Sequence, residues 1–70
     1  MTKDFIKFLA LNEVKRSIAD WNDIRESYVK FLEKETDPTA KDKWIALIQE
    51  AEHYIMKNTE LLKEVDGYEF

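Results

Sequence analysis

The chain has 70 residues, of which 37% are charged, with a net charge of −4, one glycine, one proline and no cysteine. These values allow one small domain (residues 1–70) and favour helix over sheet or disorder. They exclude a disulfide framework and a thiolate metal site, so the usual staples of a short chain are missing and self-association is the expected source of added stability.

No apolar run approaches the roughly 20 residues of a membrane span. Lys3, Asp4 and Lys7 interrupt the short apolar stretch at the start, so no signal peptide and no membrane contact are expected, and a cytoplasmic setting is. The charge is uneven: residues 1–36 carry seven basic and seven acidic side chains, and residues 37–70 four against eight. An acidic second half repels phosphate, which argues against nucleic acid held by the whole surface but not by the first half alone.

In chain order, residues 3–9 are unusually apolar. At about 100° per residue, Phe5, Phe8 and Leu9 cluster on one side of a helix and Ile6 lies apart. A cleaner stripe then runs through Leu11, Val14, Ile18, Trp21, Ile24, Tyr28, Phe31 and Leu32 at spacings of three and four. The Phe5/Phe8/Leu9 side points far from the centre of that stripe. A helix over residues 3–35 therefore bends or breaks near 10–12, or leaves these side chains for a second surface to cover. A break near 20–23 has cap-forming residues in Ser17 and Asp20, but no glycine or proline supports it and the stripe keeps its phase, so continuity is expected.

Glu35-Thr36-Asp37-Pro38-Thr39 contains the single proline and reads as a turn between two helices. Asp37 is the N-cap candidate with Pro38 in the first turn, and Thr39 with Asp42 is an alternative capping box. A connection this short makes the two helices antiparallel neighbours.

The second helix, over 38–65, carries a stripe of Trp44, Leu47, Ile48, Ala51, Tyr54, Ile55, Leu61, Leu62 and Val65. Asn58 falls within this stripe, while Ile45 and Met56 lie off it. Gly67 reads as a glycine that ends the helix in the left-handed conformation, with Tyr68 of the tail 67–70 folding back on Leu62. The expected architecture is all-α: an antiparallel helical hairpin that dimerises into a four-helix bundle, because side chains as large as Trp21, Tyr28, Phe31, Trp44 and Tyr54 need more cover than one neighbouring helix supplies.

Candidate chemistry is sparse. Glu50-x-x-His53 has the spacing of helical di-iron ligands, but both residues point away from the stripe and no inward glutamate matches them, so no metal is expected. Ser17 and Ser27 have no histidine partner besides His53, and one glycine cannot build a phosphate loop. Paired charges such as Glu26 and Lys30 read as solvated i,i+4 partners. No catalytic residue, cofactor or small-molecule substrate is expected.

Residues 14–32, centred on Ile18-Ala19-Asp20-Trp21-Asn22-Asp23-Ile24, resemble the helix-turn-helix pattern, with Asp23 standing where that pattern prefers glycine. The resemblance implies DNA contact through Arg25, Ser27 and Lys30. In length, turn position and charge, the chain is also similar in architecture to the Rop-like RNA-binding dimeric hairpins. That likeness would require an exposed basic group, of which Lys15 and Arg16 with Lys3, Lys7 and Phe8 are the best available. The expected function is instead non-enzymatic, that of a small regulatory or adaptor protein working through protein contacts. The surfaces expected to bind a partner protein are Phe5, Ile6, Phe8 and Leu9, and an acidic face of Glu50, Glu52, Glu60 and Glu64 able to occupy a basic groove.

Overall fold

The computed structural model describes residues 2–69 and contains two helices, α1 (Lys3–Lys34) and α2 (Pro38–Gly67), packed as an antiparallel hairpin. Thr2 starts α1: its Oγ1 accepts from the Phe5 N–H at 3.2 Å. At the turn, Asp37 has extended backbone and its carboxylate accepts from the Ala40 N–H at 3.2 Å, with Pro38 in the first helical position. Asp37 is thus the cap and the Thr39 start is not used. Proline suits that position because its missing N–H is one the first turn leaves unpaired anyway.

α1 is continuous through both candidate breaks, 10–12 and 20–23. The cap candidates Ser17 and Asp20 lie inside the helix, and beside them Asn22 Nδ2 donates to the Ile18 carbonyl at 3.0 Å and Ser27 Oγ to the Asp23 carbonyl at 3.1 Å. Bonds of this kind go back one turn and leave the backbone ladder in place. The turn that a helix-turn-helix requires is therefore not formed.

Gly67 also departs from expectation. It is the last residue of α2, and no described glycine has positive φ. The chain leaves the helix through Tyr68, whose backbone is extended and whose N–H donates to the Val65 carbonyl at 3.2 Å. Tyr68 borders a shallow groove with Leu61, Glu64 and Val65. α1 ends in the same manner, with the extended Glu35 donating to the Leu32 carbonyl. Phe70 of the expected tail lies outside the described residues.

The two long sides of the hairpin differ. On one, Trp21 stacks on Tyr54 with ring centroids 4.6 Å apart, and Trp44 meets Tyr28 at 5.9 Å and Phe31 at 5.0 Å. The Trp44 indole N–H donates to Glu35 at 3.1 Å on the same side. Helical phase adds Ile24, Leu47 and Leu61 to it. The other side mixes the half-buried Ile18, Val29, Ile48 and Ile55 with polar residues and is crossed by the 3.3 Å ion pair of Arg25 with Glu52.

A hairpin one helix thick cannot enclose a core. The molecule measures 54 × 15 × 11 Å, and its radius of gyration is 16.2 Å, against about 11 Å for a compact chain of this length. Among the described residues only Val14 (8% exposed) and Ala51 (0%) are buried. The remaining stripe residues, Leu11, Ile18, Trp21, Ile24, Tyr28, Leu32, Trp44, Leu47, Ile48, Ile55, Leu62 and Val65, are half-buried, and Phe31, Tyr54 and Leu61 are exposed.

Candidate functional site

The uninterrupted α1 carries the phase conflict of its first turns directly to the surface. Phe5 and Phe8 stack at 6.4 Å, and Phe5, Phe8 and Leu9 lie on the back of α1, away from α2. These three and Ile6 are between 41% and 56% exposed. Ile6 is set apart from them, turned toward the aromatic side of the hairpin. Phe5, Phe8 and Leu9, three large apolar side chains within two turns and all this open, form an exposed apolar patch.

The four glutamates of α2 do not form one face. All are exposed, and Glu50, Glu60 and Glu64 share the outer and aromatic flank of α2. Glu52 lies on the opposite flank, where Arg25 of α1 reaches it. This correction to the expected acidic face has a simple cause: residues 50 and 52 are two apart, which on a helix is about 200°.

The three residues of the helix-turn-helix reading are each engaged within the hairpin. Arg25 pairs with Glu52, Ser27 with the Asp23 carbonyl, and Lys30 with Glu26 at 3.8 Å. No separate recognition helix presents them. Lys15 and Arg16 are exposed, and Lys15 borders a shallow groove with Leu11, Leu62, Lys63 and Asp66 at the open end.

Glu50 and His53 both face solvent, with the His53 ring 5.8 Å from Tyr54 in an edge-on contact. Among the described residues no three histidine, aspartate or glutamate side chains gather as a metal site would require, and no helix is long and apolar enough to cross a membrane. The Trp44 indole N–H holds the Glu35 carboxyl below its ordinary range. Glu35 braces the turn and lines a shallow groove with Ala40, Lys43, Trp44 and Leu47. Comparison with protein families, curated proteins and solved structures returns no match to this chain.

Proposed function

We propose that this protein acts without catalysis, as a small regulatory or adaptor protein that pairs with a second copy of itself into a four-helix bundle and offers the Phe5/Phe8/Leu9 patch to a protein partner. A cytoplasmic setting belongs to the same reading. The observation that carries it is the exposed area. The hairpin exposes 5541 Å², whereas a folded monomer of 8.4 kDa exposes about 4600 Å². The excess, about 900 Å², is close to the roughly 800 Å² that each partner buries in a standard protein interface.

The test is light scattering across a dilution series, with helicity followed in parallel. A dimer that loses helix content as it dissociates supports the reading. A chain that stays monomeric and fully helical at every concentration refutes self-association. Nucleic-acid binding would instead show itself as affinity for a duplex or hairpin that falls steeply with salt; the internal pairing of Arg25, Ser27 and Lys30 argues against it.

A further inference from the structure

Resting on the self-association just proposed, we infer that the second copy docks on the aromatic side of the hairpin, related by a two-fold axis that crosses the helices at the level of Trp21 and Tyr54. This fixes the surface, the direction and the register of the pairing.

The choice of side follows from what each offers. On the aromatic side α1 presents Ala10, Ser17, Ile24 and Phe31, and α2 presents Leu47, Tyr54 and Leu61, all at seven-residue intervals that repeat on one helix face. Phe31, Tyr54 and Leu61 there remain 50%, 39% and 43% exposed. The corresponding strip on the other side also holds Leu11, Ile18, Val29, Ile48 and Ile55, but these are half-buried and interleaved with Lys15, Asn22, Lys41, Glu52, Thr59 and Lys63, polar side chains that lose hydration on burial.

Direction follows from charge. Along the α2 edge of the aromatic side stand Lys43, Glu50, Lys57 and Glu64, seven apart and alternating in sign. If α2 meets its own copy running the opposite way, centred between His53 and Tyr54, then Lys43 faces Glu64 and Glu50 faces Lys57, each contact occurring twice. The alternative two-fold, parallel to the helices, sets α1 against α2 of the second copy. It would bring Glu13 beside Glu64 and Lys34 beside Lys43, two like-charge contacts against one opposite pair, Asp20 beside Lys57.

Register follows from shape on the other helix. Reversed against its own copy about a point between Asp20 and Trp21, the α1 strip sets Ala10 opposite Phe31 and Ser17 opposite Ile24, small against large. These two centres come from independent features, one from the charges of α2 and the other from the side-chain sizes of α1. A single axis requires them to lie at the same height, and the stacking of Trp21 on Tyr54 at 4.6 Å places them there. The same axis brings Asp20 close to its own copy, the one like-charge contact of the arrangement.

Charge variants at exposed positions test this without disturbing the fold, which circular dichroism checks. Lys43→Glu should weaken dimerisation about tenfold, because it acts at two contacts, and adding Glu64→Lys should restore it. Asp20→Asn should tighten it about threefold. Spin labels on Lys43→Cys should lie about 30 Å apart along the bundle, and on Glu50→Cys about 10 Å, since separation grows by about 3 Å per residue from the axis. A dimer that Lys43→Glu tightens has the parallel axis. A dimer indifferent to it uses the other side. Label separations that do not change with position likewise rule out the reversal. Each of these outcomes overturns the inference while self-association stands. A wild-type chain that is monomeric throughout overturns both.

Discussion

Replacing Trp44 by alanine removes the aromatic hub that holds the turn end of the hairpin together. Its indole meets Tyr28 at 5.9 Å and Phe31 at 5.0 Å, and its N–H donates to Glu35. Each aromatic pair contributes about 0.5–1.5 kcal/mol beyond area burial. Truncating a fully buried tryptophan costs about 3–5 kcal/mol; Trp44 is half-buried, so the expected loss is about 3 kcal/mol, at the low end of that range. For a domain of this size, 1 kcal/mol moves the melting temperature by about 4–8 °C, so Trp44→Ala should melt at least about 12 °C lower. The control is Ile45→Ala, one residue along α2 and exposed, which tests a similar change in helix propensity without the hub. Both are followed by circular dichroism at one protein concentration, because melting of a self-associating chain depends on concentration. Equal shifts for the two variants would mean that Trp44 does not hold the helices together.

Three smaller changes test the ends and the turn. Asp37→Ala should cost about 1 kcal/mol in a denaturant titration, and Thr39→Ala much less, because only Asp37 caps α2; the reverse order would place the helix start at Thr39. Gly67→Ala should stabilise by about 0.5 kcal/mol, since Gly67 is helical and an added Cβ meets nothing within 4 Å; a loss would indicate the left-handed ending. Glu35 titrates below its ordinary value of 4.5, so its contribution is complete above that value and disappears as pH falls through the lower folded one. Trp44→Phe removes the donor, and its acid unfolding limb should be shallower below pH 4.5 than that of the parent chain; an unchanged limb would show that the indole bond does not matter to stability.

The hairpin itself is readable from a few residues. Pro38 with Asp37 before it marks the turn chemically, and apolar spacings of three and four on either side fix two helices whose faces must meet. Thr2, of a type that caps helices and directly before the first apolar turn, marks the other start. Less readable are the places where one residue type serves two local structures. Asn22 and Ser27 belong to types that cap helices and also bond back within them, and composition does not decide between the two; the tertiary demand for an unbroken stripe does. Gly67 is similar, because glycine near a helix end permits the left-handed turn without requiring it. The Arg25–Glu52 pair joins residues 27 apart, on different helices. Neither helix read alone reveals it, which is why Glu52 looks like part of an acidic face and Arg25 like a free cation.

The phase conflict at the start of α1 has a consequence for how the two proposed contacts relate. A helix has room for one face toward α2 and another, about 90° away, toward a second copy. Phe5 and Phe8 fall on neither, because their mean direction is about 160° from the packed face. Growth of the bundle by pairing on the aromatic side therefore leaves the patch as open as it is in the single hairpin, twice per dimer and at opposite ends of a rod about 50 Å long. The pairing and the docking of a partner then use separate residues. Phe8→Ser should leave the dimer mass unchanged in light scattering while removing the apolar surface. A fall in mass would show that the patch is itself part of the self-association contact, and that the axis through Trp21 and Tyr54 is misplaced.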